Sequence, residues 1–304
     1  MSQDLGFDGK VAVITGAGGG LGRQHALMLA GRGALIVVND LGGAVDGSGS
    51  DETAAEKVVS EITALGGEAV ADANSVATAE GGAAIIQSAI DAFGKVDIVI
   101  NNAGILRDKA FHNMTPDLSD AVIDVHLRGA FHVTQPAWVR MREQGYGRIV
   151  STASAAGIFG NFGQANYGAA KLGLVGLTRV LAVEGAKHNI RANAIAPLAA
   201  TRMTEDILPD QMKAALAPEA VSPLVTWLCH EDCESTGRLY AVGGGRVAEV
   251  FLGETQGYTN VGHSAEDLRD NWDTVIDREG YVVPANIAEE TGLFIQKLSE
   301  AAAG

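Results

Sequence analysis

Lys10-Val-Ala-Val-Ile-Thr15-Gly16-Ala-Gly-Gly-Gly20-Leu-Gly22 decides the fold. Lys10 to Thr15 holds an unbroken apolar run, Val11 to Ile14, rich in β-branched residues, the pattern of a strand buried on both faces. It passes without a spacer into a glycine cluster and then into a helical pattern through Ala30. Strand, glycine turn and helix together form a phosphate-binding arrangement. Gly16 permits the turn, Gly20 and Gly22 let backbone approach a pyrophosphate, and the helix start offers unpaired N–H groups and a positive dipole end. Gly16, Gly20, Leu21 and Gly22 are therefore candidate cofactor contacts. A glycine cluster alone is weak evidence, but directly behind the first strand it carries far more weight.

The next apolar run, Ala34 to Asp40, ends in an acid about 20 residues past the glycine turn, placed to accept hydrogen bonds from both ribose hydroxyls. Asp40 favours NAD, because a 2′-phosphate would meet its carboxylate and Leu41-Gly42-Gly43 supplies no arginine. Gly42 to Ser50 reads as a glycine-rich loop folding over the adenine side. A strand over Glu68–Ala73 leads to Asn74-Ser75-Val76, where Asn74 and Ser75 are candidates for the adenine, although a simple turn accounts for them equally. A helix over Thr78–Phe93 feeds a strand over Val96–Asn101. Strand alternating with helix predicts an α/β fold: a doubly wound parallel sheet of Rossmann type in three α/β/α layers. In Asn101-Asn102-Ala103-Gly104 the asparagines are expected to tie strand ends, with Asn102, Ala103 and Gly104 passing close to a bound ribose.

Leu118 to Gln144 reads as one long helix, softened at Gly129 and Pro136, that carries His126 and Arg128. His126 is open to three readings: a packed core residue, a proton relay or a ligand. The strand Gly147–Thr152 delivers Ser154. A helix over Gln164–Lys187 places Tyr167 and Lys171 four apart, on one face. A free tyrosine has a pKa of about 10, so proton transfer near neutrality needs a cation beside the phenol. Lys171 is the expected source, and Ser154 is expected to hold a substrate oxygen opposite Tyr167, making a site that moves one proton beside one hydride. Alone, such a pair is also read as a surface tyrosine beside a solvated lysine; its position after the glycine turn and Asp40 favours chemistry. The narrow helix, with Gly168, Ala169, Ala170, Gly173 and Gly176, suggests tight packing and a homo-oligomer. Pro197, Leu198 and Thr201 follow the next strand as candidates for the nicotinamide side, and Thr204–Ala217 is expected to be a mobile lid.

The chain has 304 residues, 47% of them apolar, enough for one large soluble domain with an appendage. A formal charge of -15 argues against nucleic acid or an anionic membrane as partner. The first residues show no basic stretch followed by an apolar run, so no secretory signal is expected, and no apolar run approaches about 18–20 residues. Cys229 and Cys233 read as reduced structural thiols sharing a helix face, with no metal site, which fits a cytoplasmic setting. The nucleotide-binding unit is expected to span 1–245. Residues 246–304 read as an extension with Trp272, Tyr281, Phe294 and Leu298 as apolar anchors and a helix over Asp267–Arg278.

In this order, the segments from about residue 7 to 245 resemble the short-chain dehydrogenase/reductase family, on Thr15-Gly16-x-x-x-Gly20-x-Gly22, Asn101-Asn102-Ala103-Gly104, Ser154 and Tyr167-x-x-x-Lys171. Asn39-Asp40-Leu41-Gly42-Gly43, Ile105-Leu106-Arg107-Asp108, Val125-His126-Leu127-Arg128-Gly129, Gly160 to Tyr167 and Trp227-Leu228-Cys229-His230-Glu231 narrow the likeness. They are similar to the branch of (3R)-hydroxyacyl-CoA dehydrogenases found in peroxisomal multifunctional enzymes of type 2, also called 17-beta-hydroxysteroid dehydrogenases. The resemblance implies NAD-dependent oxidation of a (3R)-3-hydroxyacyl-CoA to a 3-oxoacyl-CoA in a beta-oxidation-type pathway, the acyl group being fatty or a steroid side chain. It implies Tyr167 as base, Lys171 lowering its pKa and holding the nicotinamide ribose, and Ser154 steadying the oxygen. It also implies a homodimer or higher homo-oligomer whose extension helps cover an active site, including that of a partner subunit. His126 stands where the wider family usually has a relay asparagine, and Pro197-Leu198 where it has Pro-Gly. The chain lacks a terminal Ser-Lys-Leu and any downstream domain, so a free-standing cytoplasmic relative is expected. Rival readings are oxidation of a steroid hydroxyl, reduction of a 3-oxoacyl carrier-protein thioester, which Asp40 disfavours, and a non-catalytic dinucleotide sensor. Arg107, Lys109 and Arg202 are either contacts for CoA phosphates or solvated surface charge.

Overall fold

Val11–Thr15 (β1) is wholly buried. Successive side chains of a strand face opposite ways, so Val11 and Val13 enter one core while Ala12 and Ile14 enter another. Such a strand belongs inside a sheet with helices on both faces. The computed structural model, which describes residues 5–51, 53–201 and 213–303, shows that arrangement.

The chain continues through Gly20–Ala30 (α1), Leu35–Asn39 (β2), Thr53–Ala64 (α2), Glu68–Asp72 (β3), Ala79–Phe93 (α3) and Ile98–Asn101 (β4). Then come Pro116–Ile123 (α4), Gly129–Gln144 (α5), Gly147–Thr152 (β5), Ala155–Phe159 (α6), Ala165–Gly185 (α7), Ile190–Pro197 (β6), Ser222–Cys229 (α8), Leu239–Gly243 (β7) and Arg246–Val250 (β8). The sheet order is β3-β2-β1-β4-β5-β6-β7-β8, with parallel pairing from β3 through β7. Strand β8 extends the sheet past the expected end at Gly245: after a turn at Gly244-Gly245 it lies beside β7. So short a connection makes a hairpin, since a parallel neighbour needs a crossover.

One core fills the space between the sheet and α1, α2 and α8, through Leu29, Val58, Ile62, Val225 and Leu228. The other lies under α3 and α5, through Ile85, Ile86, Val133 and Met141. Each fully buried aliphatic side chain of this kind contributes roughly 1.5–3 kcal/mol. Connections leave β1 toward one edge and β4 toward the other. The resulting crevice, at the carboxyl ends of these two strands, is where such sheets bind ligands.

The helix expected over Leu118–Gln144 runs unbroken from Pro116 to Gln144 but contains a π turn. Between α4 and α5, Asp124–Arg128 forms a π-helical turn centred on His126, and Pro136 sits inside α5. Helix α8 stops at Cys229, so Cys233 lies beyond it; the two thiols are buried and unbridged but do not share a helix face.

The chain divides into two compact units, residues 1–249 and 250–304. In the second, Ala265–Asp270 (α9) and Trp272–Ile276 (α10) replace the single helix expected over Asp267–Arg278, and Ile287–Ala303 (α11) is a helix the sequence pattern did not disclose. Ser264 and Asp267 form a capping box at the start of α9, which ends the preceding loop. Glu254 and Val282 exchange backbone hydrogen bonds of 2.9 Å, and Phe251 stacks on Tyr281 at 5.5 Å. Trp272, Tyr281, Phe294 and Leu298, the apolar residues expected as anchors, are about half exposed.

Candidate active site

The strand ends gather the polar residues. Thr15 closes β1, and its Oγ accepts the N–H groups of Asn102 at 3.0 Å and Ala103 at 3.1 Å. The Asn102 amide returns two bonds of 3.0 Å to the carbonyls of Thr15 and Gly16, so the turn after β4 is sewn to the turn after β1. Gly16 has φ +64°, and an added Cβ would lie 2.8 Å from the Ala103 Cα. Only glycine fits that approach. Gly22 is buried away from the cleft. Its Cβ would meet the Gly16 carbonyl at 2.3 Å, so this glycine seats α1 on its own turn and does not admit a ligand as expected.

A cleft of about 500 Å³ opens over these strand ends. Gly16, Gly20, Leu21, Asp40, Asn74, Ser75, Asn102, Ala103, Gly104, His126, Ser154, Tyr167, Lys171, Pro197 and Thr201 all line it. Gly22 and Leu198 do not. Leu198 is half exposed, and its N–H donates to the Val242 carbonyl at 2.8 Å. The expected lid, Thr204–Ala217, and Arg202 fall largely in residues 202–212, outside the described residues.

The residues present fit a dinucleotide. Helix α1 begins at Gly19 with no side-chain cap and no acid in its first turn, so its N–H groups face the cleft without a protein anion. Asp40 is locked beside it: one carboxylate oxygen accepts Gly18 N–H and the other Gly42 N–H, both at 2.7 Å. Its remaining lone pairs can take ribose hydroxyls. Asn74 spends its amide on the Asp72 carboxylate at 2.9 Å, and Ser75 Oγ accepts Ala77 N–H at 3.2 Å, so both hold a local turn while lining the cleft.

Sequence reasoning missed the role of the loop after Asp40. A turn closed by Ala44 N–H to the Ser48 carbonyl carries Val45 across to the segment after β4, where its carbonyl accepts Leu106 N–H at 2.9 Å. The Asp46 carbonyl accepts Arg107 Nε at 2.9 Å. Val45, Ile105 and Arg107 thus join the lining. The only signal for this was the run of glycines itself.

At the other end, β5 stops at Thr152, and Ser154 caps α6 by accepting Ala156 N–H at 3.2 Å. Ser154 and Tyr167 both line the cleft, and the Ser154 hydroxyl favours the ionised phenol. Lys171 Nζ is buried and donates to the Thr152 carbonyl at 2.5 Å, with the Tyr167 ring centroid 5.5 Å away. Burial pushes the Lys171 ammonium down to about 7. Burial also lifts the Tyr167 phenol above its ordinary value; the Ser154 hydrogen bond opposes that shift and the Asp108 charge adds to it. Burial, the Ser154 hydroxyl and the Asp108 charge set that shift; the lowering by Lys171 expected from the sequence is not among its causes.

His126 is buried, with Nε2 3.0 Å from Ile105 N and 2.7 Å from Ile105 O, and its ring meets Tyr167 edge-on at 5.2 Å. Burial first, and then the Lys171 charge, hold its pKa well below the usual histidine range. It is a neutral brace between Tyr167 and the Ile105 segment. Among the described residues no group of three or more His, Cys, Asp or Glu side chains is placed to hold a metal ion.

A doubly wound sheet with an uncapped helix at its switch point, and a Ser, Tyr and Lys set beside it, defines a dinucleotide-dependent oxidoreductase. The chain belongs to the short chain dehydrogenase family, whose model matches residues 10–212. It is 50% identical over 302 residues to the peroxisomal multifunctional enzyme type 2 of Mus musculus, covering 98% of this chain and 41% of that protein. A short-chain type dehydrogenase/reductase of Mycobacterium tuberculosis is 54% identical over 276 residues, covering 90% of this chain and 96% of the relative. The structure of full-length peroxisomal multifunctional enzyme type 2 from Drosophila melanogaster superposes with a TM-score of 0.82 at 39% identity, covering 97% of this chain and 50% of that one. The chain thus spans half or less of these two multifunctional enzymes.

Proposed function

We propose that the chain is an NAD-dependent dehydrogenase that oxidises (3R)-3-hydroxyacyl-CoA to 3-oxoacyl-CoA. The observation carrying this reading is that Ser154, Tyr167 and the buried Lys171 line one end of the same cleft that Asp40 lines. The thioester and its stereochemistry rest on the similarity to type 2 multifunctional enzymes.

Bound NAD supplies the acceptor for the hydride that leaves C3. The rest is done by side chains. Ser154 and Tyr167 bracket the substrate oxygen, and the hydroxyl proton passes to Tyr167 as the C–O bond becomes C=O, so one proton and one hydride leave and no water enters. Lys171 holds the neighbouring ribose. The uncapped start of α1 takes the pyrophosphate, and Asp40 takes the adenosine ribose and rejects a 2′-phosphate. Within this reading, Leu172, Gly176, Val180 and Val183 form one outward apolar stripe on α7, which supports pairing into a homodimer or larger homo-oligomer. The buried, unbridged thiols of Cys229 and Cys233 support a cytoplasmic setting.

The test is a Tyr167→Phe variant assayed for NADH formation from (3R)-3-hydroxyacyl-CoA, with NAD binding measured separately. Loss of turnover with binding intact is expected. Near-normal turnover in the variant overturns the assignment.

A further inference from the structure

Resting on the acyl-CoA reading above, we propose that Arg107 is the residue by which this cleft recognises the phosphate-bearing half of its substrate. A coenzyme A thioester brings several phosphate charges to a protein whose own formal charge is -15, so approach requires a local cation. Among the described residues lining the cleft only Arg107 and Lys171 carry positive charge, and Lys171 is buried and committed to the Thr152 carbonyl. Arg107 is half-buried at the mouth.

Its geometry is that of a prepared anion site. Nε is anchored on the Asp46 carbonyl at 2.9 Å, which fixes the guanidinium plane. The Arg107 carbonyl accepts from the Asn166 amide at 2.9 Å, and Asn166 Oδ1 accepts the Tyr167 N–H at 2.8 Å, so the residue is tied to the helix that carries the tyrosine. Among the described residues no carboxylate lies within ion-pair distance of the guanidinium, and its two Nη nitrogens find no acceptor. The exposed carboxylates of Asp46 and Asp117 feel its charge from farther away. A fork held at one edge with two donors left over suits bidentate contact with a phosphate. The cofactor's phosphates are the other possible source of that chemistry. Position favours the substrate: the start of α1 already serves the pyrophosphate, and Arg107 stands between the Val45 turn and the start of the Tyr167 helix.

The experiment compares two substrates in the full-length chain: a (3R)-3-hydroxyacyl-CoA and the N-acetylcysteamine thioester of the same acid, which carries no phosphate. Arg107→Met is expected to cut the kcat/KM preference for the CoA thioester over its phosphate-free analogue on the order of tenfold, the scale of one charge-assisted hydrogen bond. Because the preference is a ratio measured on one enzyme, partial unfolding cancels from it. Raising ionic strength should erode the wild-type preference more than that of the variant. An unchanged preference overturns the proposal while leaving the dehydrogenase reading intact. So does an unchanged preference accompanied by weaker NAD binding in a fluorescence titration, which assigns Arg107 to the cofactor. If the wild-type chain oxidises neither thioester, the function and this assignment fall together.

Discussion

Lys171 Nζ donates a hydrogen bond of 2.5 Å to the carbonyl oxygen of Thr152, the last residue of β5. This bond joins the helix that brings Tyr167 to the strand that delivers Ser154, so the two halves of the proposed site share one tie. Lys171→Met should therefore lower kcat/KM for NADH formation by about 10²-fold or more, the scale of a positioned proton-transfer group. Lys171→Arg should not rescue it, because a planar fork cannot enter a site closed around a single ammonium. Steady-state kinetics of both variants check this.

The raised phenol of Tyr167 sets the pH dependence of the forward reaction. Oxidation needs its base form, so kcat/KM should climb as pH rises and keep climbing into the alkaline range, while reduction of the 3-oxo product should favour lower pH. A profile of the free enzyme that is flat from neutrality upward contradicts the role of Tyr167.

His126 gives a second, contrasting profile. Being neutral across the physiological range, it should contribute no limb between pH 5 and 8. His126→Ala should lower thermal stability by about 1–3 kcal/mol, because the buried Ile105 N–H loses its partner, while keeping the shape of the pH curve. Differential scanning calorimetry beside a pH series separates the two effects.

Gly22→Ala tests packing against access. With a Cβ forced to 2.3 Å from the Gly16 carbonyl, the variant should lose about 1–3 kcal/mol of stability and bind NAD more weakly, although position 22 is outside the cleft. Urea denaturation with an NAD titration reads both.

His25 is buried in α1, with Nδ1 2.8 Å from Ser222 Oγ, and burial lowers its pKa to about 3. The unfolded chain binds this proton near pH 6.5 and the folded chain does not. Its contribution is therefore fully present above about pH 6.5 and is lost progressively toward pH 3, at up to about 1.4 kcal/mol per pH unit. Denaturation midpoints of the wild-type chain should drop on acidification more steeply than those of His25→Gln.

Much of this was legible in the chain. The strand Gly147–Thr152 could be bounded to the residue because it is a short β-branched run closed by glycine and followed by small residues. Gly16, Asp40, Ser154 and the Tyr167–Lys171 pair were legible because their spacing is fixed by strand and helix geometry. The π turn at Asp124–Arg128 was not, since one extra residue in a helical turn leaves no mark on apolar periodicity. Nor was the burial that raises the Tyr167 phenol, which depends on tertiary packing rather than on local spacing. The reach of Val45 to Leu106 depends on a tertiary hydrogen bond between backbone atoms, which side-chain identity does not encode.

That reach has a thermodynamic consequence. The Ala44–Ser48 turn follows Asp40, just past the end of β2, and is fastened to Leu106 and Arg107, and the neighbouring Ile105 leans on His126, which leans on Tyr167. Occupancy at the adenosine end and occupancy at the reacting end are thus two loads on one cord. Linkage makes their coupling reciprocal: whatever factor the dinucleotide adds to thioester affinity, the thioester adds to dinucleotide affinity.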